Sequence, residues 1–125
     1  MIKIEIPSPD VVITKKRNQL GETSGSELSS VYGFIDYHLI PRDKGGLILF
    51  YNQKEELLFV GKARKLRPRV KKHFEDTVSP ILKHRDEVTK IAVCLIEDPM
   101  DREIYETYII NKLKAKYNID KVFYR

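Results

Sequence analysis

Gly46-Leu47-Ile48-Leu49-Phe50-Tyr51, Asn52-Gln53-Lys54-Glu55, Glu56-Leu57-Leu58-Phe59-Val60-Gly61-Lys62-Ala63: two apolar runs separated by a polar turn decide the fold of this chain. Runs of this length, rich in branched and aromatic residues and broken by Asn-Gln-Lys-Glu, read as an antiparallel hairpin. The strands are expected over Leu47–Tyr51 and Glu56–Val60, with Gly61 as a tight exit from the second. A helix should follow from Leu66 to Phe74. Leu66, Val70 and Phe74 recur along one side and would anchor it, and Pro68 fits because it falls in the first turn, where its missing N–H is harmless.

C-terminal to the hairpin, Ser79-Pro80 predicts a second helix start, with Ser79 as its cap. Ile91 to Glu97 predicts a third strand, continuously apolar and therefore central or covered. Asp98-Pro99 is another cap-plus-proline pair, and the long helix after it should reach about Lys116, with Val122 to Tyr124 as a last edge strand. On the N-terminal side, Ile2, Ile4 and Ile6 alternate with charged residues and predict a short strand ended by Pro7 and Pro9. Residues 15–26 read as a mobile loop. Ser26 could cap a helix to Leu39, with Leu28, Val31, Tyr32, Ile35 and Leu39 on one face and Pro41 as its stop. The expected architecture is an α/β (α+β) fold: a small central antiparallel three-stranded sheet flanked by helices over residues 45–125, with an N-terminal extension over 1–44 carrying one helix.

The chain has 125 residues, 42% of them hydrophobic, which suits one domain with a single core. No apolar run approaches membrane-spanning length, and Met1-Ile2-Lys3-Ile4-Glu5 is unlike a signal peptide, so a cytoplasmic protein is expected. The single cysteine, Cys94, lies in an apolar run and reads as a small core residue. One Cys and three scattered His give no zinc-type spacing, and nothing points to an organic cofactor. The net charge of +5 is unevenly spread. Lys62, Arg64, Lys65, Arg67, Arg69, Lys71 and Lys72 follow one another with no acid among them, giving either a local field suited to phosphate or a solvated helix face.

The segment from Gly46 to Asn118 resembles the GIY-YIG nuclease family, in particular the N-terminal nuclease domain of the excinuclease of bacterial nucleotide excision repair. Phe59-Val60-Gly61-Lys62-Ala63 matches the family's Tyr-Val-Gly-Lys-Ala stretch. Arg69 falls on the catalytic arginine, and His73 on a position held by Tyr or His. Glu106 falls on the metal-binding glutamate, and the Tyr117-Asn118 pair also matches. Two positions depart from the pattern: the signature tyrosines fall on Ile48 and Phe59, so both phenols are missing.

The resemblance implies catalytic roles for Arg69, His73, Glu106 and Lys62, with one Mg2+ or Mn2+ ion at Glu106. It implies DNA contacts from Lys62, Arg64, Lys65, Arg67, Arg69, Lys72 and Asn118. The residue chemistry suits these roles. Arg69 is a forked, permanent cation for phosphoryl oxygens. Glu106 at the edge of an apolar arc suits a magnesium shell completed by water and substrate, against a surface Arg102–Glu106 pair. Lys62, expected to face Phe59, has no phenol to act on. Asn118 can bond backbone or phosphate. Without the phenols, His73 is the histidine placed to take a proton, with a pKa expected near neutrality. Tyr51 should point away from the site, whereas Tyr32 or Tyr37 could enter from the preceding helix. Three readings stay open: a divergent metal-dependent DNA endonuclease, connected with repair; a non-catalytic nucleic-acid-binding module; and a protein-interaction module. A protein partner for targeting is consistent with each.

Overall fold

The computed structural model describes residues 4–15, 33–34, 36–119 and 121–123. Strands β1 (Val11–Thr14), β2 (Gly46–Tyr51), β3 (Leu57–Ala63) and β4 (Lys90–Leu95) form one antiparallel sheet in the order β1-β4-β2-β3. Helix α1 (Leu66–Glu75) follows β3, and helix α2 (Pro99–Leu113) follows β4. No helix among the described residues is long and apolar enough to cross a membrane.

The hairpin forms as expected, with Gly46 opposite Ala63 and Phe50 opposite Phe59. β2 also pairs along its whole length with β4, from Gly46–Leu95 to Tyr51–Lys90. That approach requires a glycine at 46, because a Cβ there would lie 1.8 Å from the Cys94 carbonyl oxygen. Gly61 is not an exit from β3, which continues to Ala63. Its bare Cα instead leaves room for a neighbour, since a Cβ would lie 2.9 Å from the Phe59 ring.

The sheet has four strands where three were expected. The added edge strand is Val11–Thr14, which runs from Val11–Val93 to Thr14–Lys90 against β4. The expected strand at Ile2–Ile6 is absent from residues 4–9. Pro7 and Pro9 remove donors there, and the branched run Val-Val-Ile-Thr is the first uninterrupted stretch that can pair. The helix expected from Ser26 to Leu39 and the loop at 15–26 lie largely outside the described residues. The described end of that helix is different: Phe34 bridges to Lys15, Asp36 is left-handed, and Tyr37–Leu39 is a single 3-10 turn.

Ser79-Pro80 starts no α-helix. Turns over 80–84 lead into a 3-10 turn at Arg85–Glu87. Ile81 and Val88 are buried but Leu82 is not, so the segment lacks a helical apolar face to dock. Asp98 does cap α2, accepting from the Met100 N–H at 2.8 Å, with Pro99 at the first helical position. That helix stops at Leu113 rather than Lys116, because Lys114 turns left-handed. Val122 and Phe123 form no strand, and Tyr124 lies outside the described residues.

Each face of the sheet has its own apolar cluster. Ile48, Phe50 and Phe59 pack with Leu66, Val70 and Phe74 of α1. Leu47, Leu49 and Val60 pack with Ile109 and Ile110 of α2, and Cys94 sits in this second cluster as a buried core residue. Burial pushes its thiol up to about 11, which keeps it protonated and unreactive.

The outer edge of β3 is closed by the chain beyond α2. Lys116 N–H donates to Leu57 O at 3.0 Å and Tyr117 N–H to Leu58 O at 2.7 Å. Asn118 then bonds Val60 twice: its Oδ1 accepts the Val60 N–H, and its Nδ2 donates to the Val60 carbonyl, each at 2.9 Å. A side-chain amide thus imitates a neighbouring strand. Replacing Asn118 with Ala should destabilise the fold by about 1–3 kcal/mol in urea unfolding, since two partly buried backbone groups lose their partners. The nearly isosteric Asn118→Asp should be at least as damaging, because it sets an acceptor against the Val60 carbonyl.

Candidate nucleic-acid and metal site

The basic segment after β3 does not act as one cluster. Arg64, Lys65, Arg69 and Lys72 line an open cavity of about 390 Å³ with Asp43 and Pro68. Arg67 belongs elsewhere. Its guanidinium donates to the carbonyls of Ile40 at 2.7 Å and His38 at 2.6 Å, while Tyr37 Oη donates to the Arg67 carbonyl at 2.7 Å. Arg67 therefore clamps the 37–41 segment onto α1 and commits its guanidinium to structural bonds. The start of α1 is also occupied: Leu66 N–H donates to Lys44 O and Arg67 N–H to Pro41 O. These carbonyls satisfy donors that a capping side chain would otherwise serve.

His73 lies one turn beyond Arg69 on α1, packed edge-on against Phe59 at 5.0 Å and Phe50 at 5.7 Å between ring centres. Its Nδ1 is 2.8 Å from Ser79 Oγ. Nε2 faces Gly61, where a Cβ would lie 3.6 Å away. The imidazole is not poised near neutrality. Burial, with the Arg69 charge beside it, pushes its pKa down to about 4, so it is neutral at pH 7. Ser79, expected as a helix cap, instead holds this ring. Arg85, which no sequence motif singles out, donates to the His73 carbonyl at 2.7 Å and fixes the end of α1.

On the other face of the sheet, Lys62 points away from Phe59. It sits opposite Leu47 and pairs with Glu103 of α2. Glu106, one turn along α2, is only 8% exposed. Its Oε1 accepts from Lys121 Nζ at 2.6 Å, and the same ammonium also pairs with Glu103. These contacts to Lys121 and Lys62 hold the Glu103 carboxyl down at about 2. Burial alone would lower the Lys121 pKa, but the two carboxylates raise it above the ordinary lysine value. The alternative for Glu106, a surface pair with Arg102, is not formed. Arg102 is buried and donates to the carbonyls of Ile96 at 2.6 Å and Glu97 at 2.7 Å.

The structure thus brings Arg69 together with Arg64, Lys65 and Lys72, and His73 together with Phe59 and Gly61. Glu106 and Lys62 lie with Glu103 and Lys121 on the α2 side. Neither His73 nor Glu106 lines the basic cavity. The two halves are joined by β3, whose adjacent residues Gly61 and Lys62 face α1 and α2 respectively. Glu103 was legible at three residues before Glu106 on one helix, whereas nothing in the sequence placed Lys121 there.

Among the described residues, no three His, Cys, Asp or Glu side chains form a set able to hold a metal. The donor chemistry nevertheless fits one divalent ion with an open shell. Glu103 and Glu106 converge on a single cationic atom, Lys121 Nζ, and hard oxygen donors of this kind suit magnesium or manganese with water and substrate oxygens completing the shell. Among the described residues neither Tyr37 nor Tyr51 takes the place of the missing phenols, and Tyr32 lies outside those residues. Ile48 and Phe59 are both core residues, the Tyr37 hydroxyl is bonded to Arg67, and Tyr51 packs on the opposite face from Ile48.

Comparison with known proteins identifies a family and a shared fold. A family model described as the UvrC-like GIY-YIG domain matches residues 44–119. Over all 125 residues, and the full length of both chains, the protein is 65% identical to the uncharacterized protein YurQ of Bacillus subtilis. It is 36% identical over 86 residues to UvrABC system protein C of Wolinella succinogenes, a match covering 62% of this chain and 14% of that protein. Among solved structures, the GIY-YIG N-terminal endonuclease domain of UvrC from Thermotoga maritima, bound to its catalytic divalent cation magnesium, is similar with a TM-score of 0.58 at 21% identity. That likeness covers 65% of this chain and 90% of the other, and it shows the shared fold.

The low His73 pKa has a consequence for stability. Between the ordinary value of 6.5 and about 4, the unfolded chain binds a proton that the folded chain does not. The contribution is complete above pH 6.5 and lost as pH falls toward 4, on the order of 3 kcal/mol in all. Urea unfolding of His73→Gln should show a flatter stability profile than the parent across that window.

Proposed function

This chain belongs to the UvrC-like GIY-YIG family, and we propose that it is a divergent, divalent-metal-dependent endonuclease acting on DNA. The observation that carries the reading is the pairing of an intact basic cavity around Arg69 with a converging carboxylate pair, Glu103 and Glu106, on the two sides of the same edge strand.

Arg64, Lys65 and Lys72 would bind backbone phosphates, and the Arg69 fork would hold the phosphoryl oxygens on which charge develops. Glu106, assisted by Glu103, would hold the ion. When bound, a divalent cation supplies Lewis-acid stabilisation of the phosphoryl oxygens. His73 is neutral at physiological pH, and Nε2, aimed at Gly61, can make a hydrogen bond to a water or phosphate oxygen. At a pKa of about 4 it is a weak base, so modest rates are expected from a site without either phenol. Asn118 acts at a distance, by fixing the β3 backbone from which Lys62 projects. A repair role, and a protein partner that supplies targeting, belong to the same proposal.

The buried Ile48 and Phe59 favour a second reading, in which the fold binds nucleic acid without cutting it. A plasmid-nicking assay with and without Mn2+, run beside gel shifts at two salt concentrations, separates the two. The endonuclease reading expects Mn2+-dependent nicking that Glu106→Gln abolishes, that Arg69→Ala lowers on the order of 10²–10³-fold, and that Lys54→Gln on the hairpin turn leaves unchanged. Salt-sensitive binding with no product at any metal concentration supports the second reading. In both, replacing Lys65 or Lys72 with Gln should weaken binding across sequences and reduce the salt slope by about one ion each.

A further inference from the structure

We propose that Lys121 is a tethered cation standing in the position of the divalent ion, so that residues 121–123 compete internally with metal for Glu103 and Glu106. The inference rests on the metal-dependent reading above and adds a residue that sets the metal affinity of the site.

Three observations carry it. The Lys121 ammonium bonds both carboxylates at once, reaching Glu106 Oε1 at 2.6 Å. A single positive atom shared by two acids three residues apart on one helix marks the place where an oxygen-coordinated cation would sit. Next, Lys121 is held there from a distance. Asn111, on the same helix, donates from Nδ2 to the Lys121 carbonyl at 2.7 Å, and its Oδ1 accepts the Phe123 N–H at 2.6 Å. The same Nδ2 is fixed to the Thr107 carbonyl at 2.8 Å, so the clamp itself is rigid. Finally, Lys121 has φ 63°, a left-handed conformation uncommon for lysine. The backbone adopts it where Asn111 bonds the flanking groups and the side chain reaches α2.

The energetics make this a competition rather than a fixed plug. Glu106 is nearly buried, and a buried carboxylate deprived of its counter-charge demands another cation. Lys121 satisfies it through a single charge, whereas a divalent ion brings two charges and further ligands from substrate. The ammonium would therefore yield when metal and phosphate arrive together, which keeps the free protein from holding the ion tightly. Lys62 pairs with Glu103 alone, so it should influence the ion far less.

The test is Mn2+ binding to the full chain at pH 7.5, read from the EPR signal of free Mn2+, with thermal melts confirming that each variant is folded. Lys121→Met should bind Mn2+ at least tenfold more tightly than the parent. Adding Glu106→Gln should remove that gain, and Lys62→Met should give a smaller one. Asn111→Ala, which loosens the clamp without deleting the charge, should tighten binding by an intermediate amount, and it decides the matter if Lys121→Met does not fold. Mn2+ affinity in Lys121→Met equal to the parent, or no binding in either, overturns the inference. Nicking is measured on the same samples: tighter Mn2+ binding without nicking supports the tethered cation and removes the endonuclease reading.

Discussion

The double hydrogen bond between the Asn118 amide and the backbone of Val60 is the contact on which this arrangement turns. β3 is the outermost strand of the sheet, and an open strand edge is both an aggregation hazard and a poor platform. Closing it with residues 116–118 fixes β3 without adding another strand, so both of its faces remain usable. One face presents Phe59 and Gly61 to α1, and the other presents Lys62 to α2. The same closure leads the chain back over α2, where Asn111 receives it and Lys121 meets Glu106.

The charges of the site follow from that geometry. On the α1 side, cations accumulate and the imidazole among them is forced neutral by burial and by Arg69. On the α2 side, two carboxylates share the Lys121 ammonium, and Lys62 also pairs with Glu103. In the proposed endonuclease, a phosphodiester at β3 would meet positive charge on one side and the acid pair that would hold the ion on the other, a division that suits phosphoryl transfer. The apolar residues at Ile48 and Phe59 join the α1-side core, where Phe59 packs on Phe50 and His73, and Phe50 on Phe74 and His73.

Much of this was legible in the sequence. The hairpin, α1, β4 and the Asp98-Pro99 start of α2 are fixed by local signals: apolar runs broken by a polar turn, an apolar stripe, a cap beside a proline. What escaped depended on long-range pairing. The edge strand at Val11–Thr14 forms only because β4 offers it a partner. The turns after Ser79 replace a helix because Ile81 and Val88 are buried without a continuous apolar stripe between them, Leu82 being left exposed. Arg67 reads as a member of a basic cluster, yet two backbone carbonyls far away in sequence claim it. His73 was expected near neutrality because nothing local announces the aromatic walls around it. Lys121 carries no motif at all, and its role is visible only once Asn111 has placed the backbone.

A manganese anomalous difference map from crystals soaked with Mn2+ and a short DNA duplex tests the two-sided site most directly. One strong peak is expected beside the Glu106 carboxylate, with the Lys121 ammonium swung away from it and a phosphate reaching toward Arg69. A map in which Lys121 stays on Glu106 and the ion binds elsewhere would contradict that arrangement.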